Sequence, residues 1–364
     1  MAENGFLRSA ERAAFSLRSL YSQYGYLPFK MSKFEEYELY VRNKEFLISD
    51  NVIAFNDTDG RLLAMKPDVT LSIIKNSVCE RDCKQKVYYN ENVYRVSHKT
   101  HRFKEIMQAG LECIGDTDIT DTYEVIDLAA KSLQLVSGRF ALDVSHLGIL
   151  SRVLEQASDK SGFIKEATGL IAEKNKHELS ALCRESGVSD DYTEIIVSFI
   201  DMYGSMTEVL SRLEPVCKRV EAVEQYEELK TLCTLLSTAG YADKIKLDFS
   251  VVNDMNYYNG IVFKGFLEGI PDGILAGGEY GMLMSRMGKC SGAVGFAIYL
   301  DLLEELDAPS RDYDVDVLVI YEKNSDTGAV IELKNKLISE GKRVSLQRAI
   351  PEKLRYKEII RLDK

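Results

Sequence analysis

The 364-residue sequence has no run of about 18 consecutive apolar residues, the length a membrane-crossing helix needs. No secretory leader is expected either, because Glu3, Arg8, Glu11 and Arg12 break up the apolar residues of MAENGFLRSAERAAF. The expectation is a soluble, cytoplasmic protein with no membrane contact. Proline is scarce, at 6 residues, and no internal repeat or low-complexity segment occurs. With 45% hydrophobic and 28% charged residues, this composition excludes fibrous and disordered classes. Cysteine is odd in number, at 7, and scattered, which fits reduced thiols better than a disulfide framework. Cys79 and Cys83 lack the second pair that would complete a zinc site, and the four histidines (His98, His101, His146, His177) are too dispersed to form a metal cluster. Phosphate-loop, nucleophile-elbow, zincin and dinucleotide-binding patterns are all absent. Positive charge is also in deficit: 46 basic residues face 57 acidic ones, a net of −11, so no nucleic-acid partner is expected over most of the chain.

What is present reads as alternating strand-rich and helical regions. Leu7, Ala10, Ala14, Leu17, Tyr21 and Tyr24 recur at helical spacing, with Gly25 placed to end the helix. VIAF and RLLAMKP flank the turn Asp57-Thr58-Asp59-Gly60, and Asp68 is placed to cap a following helix. KVYYNENVYRV and FKEIMQAGLECIG read as two long strands joined by the basic turn Ser97–Arg102, which favours an antiparallel sheet. From about 149 to 240 the apolar spacing is helical throughout, and strand signals resume at KIKLDFSVV, YYNGIVFKGFL and GILAGG. After a linker at 307–312, VDVLVIY, a helix and KRVSLQ make one strand–helix–strand unit. This tail is basic: residues 323–364 hold 11 Lys or Arg against 6 Asp or Glu, which suggests either an acidic partner or a solvated face.

Candidate chemistry lies where polar groups interrupt strand-like sequence. Gln108 and Glu112 are four apart, so they share one strand face, with Gly110 between them leaving it open. Asp68 and Thr70 start a helix, and Tyr257 and Tyr258 begin a strand. The carboxylates of Asp68 and Glu112 can hold an ammonium or a protonated ring nitrogen, and Gln108 can both donate and accept, which suits an amino acid ligand. From composition alone the plainer account is favoured, in which Asp68 is only a cap and Gln108 and Glu112 line a solvated sheet face.

Four segments, in order, resemble the catalytic domain of histidyl-tRNA synthetase, a class II synthetase: LLAMKPDVTLSI, YRVSHKTHRFKEIMQAGLECIG, NDMNYYNGIVFKGF and ILAGGEYGMLMSRMGKCSGAVGFAIYLDLLEEL. The resemblance spans residues 1 to about 306 and implies an α+β fold. Its core is an antiparallel sheet flanked by helices, split into residues 1–148 and 243–306 by a helical insertion at 149–242. A small α/β module at 313–364 resembles the first part of an anticodon-binding domain that stops about halfway. The family's histidine pocket maps onto Asp68 and Thr70, Gln108 and Glu112, and Tyr257 and Tyr258, with Asp68 one methylene shorter than the family's glutamate.

The ATP side departs from the pattern. Arg95 matches the phosphate-binding arginine of motif 2 and is either a remnant phosphate-binding residue or a partner in a structural ion pair, since its companion glutamate is Ser97. The motif 3 arginine corresponds to Leu302, and the arginine before the tyrosine pair corresponds to Asn253. Adenylation redistributes negative charge, and each missing cationic donor costs about 2.7–4 kcal/mol of barrier. A pocket kept while activation is lost resembles the regulatory-subunit family of ATP phosphoribosyltransferase. That resemblance implies a chain without catalytic residues, cofactor or metal, which binds L-histidine and the short catalytic subunit as a homodimer within a hetero-oligomer. The alternatives are a divergent synthetase-like enzyme that activates or transfers an amino acid, and an interaction protein whose pocket stays empty.

Overall fold

The structure is a computed structural model that describes residues 8–47, 51–78, 82–96, 100–160, 162–252, 257–289, 292–306 and 313–362. The chain divides into two compact units, Met1–Leu306 and Asp307–Lys364.

The first helix, α1 (Ser9–Gln23), buries Ala10, Ala13, Ala14, Leu17 and Tyr21 along one stripe, as its spacing predicts. Gly25 follows at φ 81°, a left-handed conformation that lets the chain turn into β1 (Leu27–Pro28). A small sheet comes next, from β2 (Phe34–Glu36), β3 (Ala54–Asn56) and β4 (Leu62–Met65), with α2 (Tyr37–Arg42) between the first two strands. The predicted turn at Asp57–Gly60 joins β3 and β4 as an antiparallel hairpin. Helix α3 (Thr70–Asn76) then leads to the long strands β5 (Lys84–Val96) and β6 (Phe103–Gly115). These pair antiparallel over their whole length. Helix α4 (Ile119–Val136), capped by Asp118, crosses to β7 (Phe140–His146).

The inserted block holds α5 (Leu147–Ala157), α6 (Phe163–Ala172), α7 (Lys176–Ser186), α8 (Asp190–Ser198), the two-residue β8 (Tyr203–Gly204), α9 (Met206–Arg219) and α10 (Val223–Thr238). The sheet resumes with β9 (Ile245–Asp248), β10 (Ile261–Leu267) and β11 (Leu275–Glu279). A short helix, α11 (Gly281–Arg286), precedes β12 (Gly292–Tyr299), which runs into a 3-10 segment, Leu300–Leu306.

The main sheet has the order β1-β5-β6-β12-β11-β10-β7-β9-β8. It is predominantly antiparallel; β1 with β5 and β7 with β9 are the parallel pairings. Its inner strands include the neighbours β6 and β12, far apart in sequence, so the sheet is completed only when the chain returns from the insertion. One face packs α1, α4 and the inserted helices into the larger core. The other carries a second core with Leu71, Ile73, Ile74, Tyr89, Tyr257 and Tyr280.

Two expectations need correction. Tyr257 and Tyr258 do not begin a strand: the ladder starts at Ile261, and the tyrosines lie in the segment before it. The reason is local, since Asn259 N donates to Glu279 O (3.0 Å) and Ile261 N to the Glu279 carboxylate (2.9 Å), which turns the chain at Gly260. The tail also holds more than one strand–helix–strand unit. After β13 (Val315–Tyr321), α12 (Thr327–Ser339) and β14 (Val344–Gln347) comes β15 (Tyr356–Leu362), parallel to β13 on its far side. Val317, Val319 and Leu337 form this unit's core.

Candidate ligand site

The sheet face carrying the second core opens into a cavity of about 380 Å³, and all seven predicted residues line it: Asp68, Thr70, Arg95, Gln108, Glu112, Tyr257 and Tyr258. Gln108 and Glu112 are each only 2% exposed, which overturns the account of a solvated sheet face. Gly110 between them is needed, because a Cβ there would overlap the Phe296 carbonyl and meet the Tyr89 ring. The space is thus taken by Tyr89, whose own strand position faces Gly110.

Glu112 is held from both sides. Thr70 Oγ1 donates to Oε1 (2.8 Å), and the Tyr280 hydroxyl donates to Oε2 (2.6 Å). Burial pushes its carboxyl up to about 8, against the lowering effect of those two hydroxyls. The carboxylate lies over Gly295 of β12, where any Cβ would overlap it. Glycine at this position is what leaves Glu112 room.

Asp68 both caps a helix and lines the cavity. Its Oδ1 accepts from Leu71 N (2.9 Å), capping α3, and it is also a cavity wall. Burial raises its carboxyl above the usual range, while Arg95 and the backbone amides of Leu71 and Thr70 pull it down. Arg95 is itself buried, with Nε donating to Pro67 O (2.7 Å) and Nη2 lying 3.7 Å from Asp68 Oδ2. Behind them Lys66 is fully buried and bonds Glu91 (2.9 Å).

The tyrosines form an aromatic wall. The rings of Tyr257 and Tyr258 are 4.6 Å apart and those of Tyr257 and Tyr280 5.8 Å, measured between centroids. Burial raises all three phenols well above their ordinary range, so they are neutral hydroxyl donors near pH 7. Together the cavity offers two carboxyls, neutral phenols, a threonine hydroxyl and an amide. That set can hold an ammonium and an aromatic ring bearing N–H groups.

Ser97 and Asn253 lie outside the described residues. Leu302 sits in the 3-10 segment after β12, half-buried against the main core. Among the described residues no group of three or more His, Cys, Asp or Glu is placed to hold a metal ion, and no helix is long and apolar enough to cross a membrane. Four of the polar residues lining the cavity were not singled out from sequence: Tyr89, Lys264, Tyr280 and Tyr299. Tyr280 had a readable signal, an aromatic directly after the glycine-rich strand LAGGE. The others share faces with neighbours that only the sheet register identifies.

Fold and cavity together define a class II aminoacyl-tRNA synthetase-like chain. More narrowly, the chain belongs to the histidyl-tRNA synthetase family, whose model matches residues 5–303. It is similar to the ATP phosphoribosyltransferase regulatory subunit of Clostridium acetobutylicum, with 28% identity covering 93% of this chain and 86% of that protein. It is also similar to the regulatory subunit of Oceanobacillus iheyensis, with 29% identity covering 91% and 82%. Among solved structures, a Bacillus halodurans protein described as ATP phosphoribosyltransferase regulatory subunit/histidyl-tRNA synthetase superposes with a TM-score of 0.78 at 21% identity, covering 97% of this chain and 93% of that one. A chain of an ATP phosphoribosyltransferase complex from Thermotoga maritima gives a TM-score of 0.62 at 21% identity, covering 82% and 98%.

Proposed function

We propose that this chain is a non-catalytic regulatory subunit of ATP phosphoribosyltransferase. In this reading it activates the short catalytic subunit and transmits feedback inhibition by L-histidine at the first step of histidine biosynthesis. The observation that carries the reading is the convergence of Asp68, Thr70, Gln108, Glu112, Tyr257 and Tyr258 on one cavity, in a chain with leucine at the motif 3 position. An apolar Leu302 cannot stabilise the charge that develops on an α-phosphate, so the pocket is suited to sensing an amino acid rather than activating it.

In this account Glu112 and the phenols of Tyr258 and Tyr280 hold the imidazole, and Asp68, Thr70 and Gln108 hold the α-ammonium. Bound histidine favours one of two arrangements of a hetero-oligomer built on a homodimer of this chain. Such coupling is typically about 1–3 kcal/mol and reciprocal, so the catalytic subunit's substrates weaken histidine binding in turn. The location that follows is cytoplasmic, and no nucleic acid takes part.

The test mixes the chain with the short catalytic subunit of the same organism and follows turnover of ATP and phosphoribosyl pyrophosphate. Stimulation that histidine suppresses supports the reading. Separate elution of the two proteins with no stimulation refutes it, and histidine-dependent pyrophosphate exchange by this chain alone would favour a synthetase-like enzyme instead.

A further inference from the structure

We infer that Lys264 takes the carboxylate of the amino acid held in this cavity, and so sets the site's preference for amino acids over their decarboxylated amines. This deepens the proposed function and rests on it. The wall described above carries the carboxyl groups of Asp68 and Glu112, which offer an α-carboxylate no positive charge. Arg95, although in the wall, has Nε engaged by Pro67 O and one terminal nitrogen facing Asp68.

Among the described residues, Lys264 is the other cation lining the cavity. It stands on β10, and the register runs Lys264, Ala276, Ala297, Gly110 across β10, β11, β12 and β6. Residues directly paired across a sheet share one face, so nothing larger than a methyl group stands between Lys264 and the strand of Gln108 and Glu112. Three strand spacings of about 4.8 Å make this row about 14 Å long. The Glu112 carboxylate already reaches over the adjacent strand at Gly295. What remains is a span suited to an amino acid with a hydrogen bond at each end.

The lysine is also placed rather than loose. Its stem lies against Gly273, where a Cβ would come within 3.0 Å of Cγ, and its ammonium is 5.6 Å from the centre of the Phe266 ring. Among the described residues, no side-chain hydrogen bond or ion pair occupies that ammonium. Asp143 faces it in register across β7. Burial holds the Asp143 carboxyl up at about 6, with Asp248 adding to the rise and Lys174, Lys246 and Lys264 opposing it. A ligand carboxylate would give Lys264 the close partner it lacks.

Calorimetric titration of the intact chain with L-histidine and with histamine, which keeps ring and amine but has no carboxylate, tests this. The parent is expected to prefer histidine by about 10- to 100-fold, the range for a hydrogen bond between charged groups. Lys264→Gln is expected to lose that preference through weaker histidine binding, with histamine binding unchanged, which also shows that the variant folds. Lys264→Arg, keeping the charge, should retain part of the preference. If Lys264→Gln binds both ligands and still prefers histidine as the parent does, the inference is wrong while the histidine site stands. If the parent binds neither ligand, the histidine reading itself fails and takes this inference with it.

Discussion

Replacing Glu112 by glutamine isolates the electrostatic cost of the cavity from its shape. In the folded chain the carboxyl is 2% exposed and titrates at about 8, against an ordinary value of 4.5. A folded-state pKa above the unfolded one means that the folded chain binds the proton more tightly. The contribution to stability is therefore greatest below about pH 4.5, is lost progressively as pH rises, and changes no further above about 8. At 1.36 kcal/mol per pKa unit, the loss across that window is on the order of 5 kcal/mol. Glutamine has the same shape and does not titrate. Of Thr70 and Tyr280, one hydroxyl can still donate to its carbonyl oxygen, while the other must turn to accept from its amide, a roughly constant cost of about 1 kcal/mol. Denaturant unfolding of parent and Glu112→Gln at pH 5, 6, 7 and 8 should therefore show the variant gaining on the parent by about 1 kcal/mol per pH unit. A difference that stays flat across the series would refute the claim that burial, rather than pairing, governs this carboxyl.

Other outcomes follow from the same geometry. Gly295→Ala places a methyl group where the Glu112 carboxylate lies; it should cost about 1–3 kcal/mol by denaturation and abolish histidine binding by calorimetry. Glu91→Gln removes the charge partner of fully buried Lys66 and should destabilise by about 3–5 kcal/mol near neutral pH. Because burial lowers the Lys66 pKa, that loss should shrink at high pH as the lysine becomes neutral. Millimolar L-histidine should raise the melting temperature of the parent, whereas no shift at all would favour the interaction protein with an empty pocket.

The fold was legible where local pattern and long-range pairing agree. The long strands β5 and β6 announce themselves by length, and the insertion by unbroken helical spacing. Strand β15 was missed because its Lys, Glu and Arg residues interleave with the apolar ones and only half of it faces the core, the usual look of an edge strand. Helix α11 was missed because six residues carry too little periodicity. Within the site, the two-residue period correctly put Gln108 and Glu112 on one face. It could not show that the face is closed over by Tyr257, Tyr258 and Tyr280, because those residues arrive from 145 or more positions later in the chain. Lys264 was invisible for the same reason: its place opposite Ala276 and Ala297 is a property of sheet register rather than of spacing along the chain.

The most direct test of the account is the histidine inhibition curve of the reconstituted complex, with activity at each histidine concentration divided by activity without it, for the parent and for Tyr258→Phe. The variant removes one phenol hydroxyl from the cavity wall and leaves its ring. Loss of a hydrogen bond worth about 1 kcal/mol or somewhat more shifts the half-inhibiting concentration upward by roughly 5- to 10-fold. The account predicts that shift. Superimposable curves for parent and variant, together with unchanged sensitivity in Glu112→Gln, would contradict it and move the histidine sensor elsewhere in the assembly.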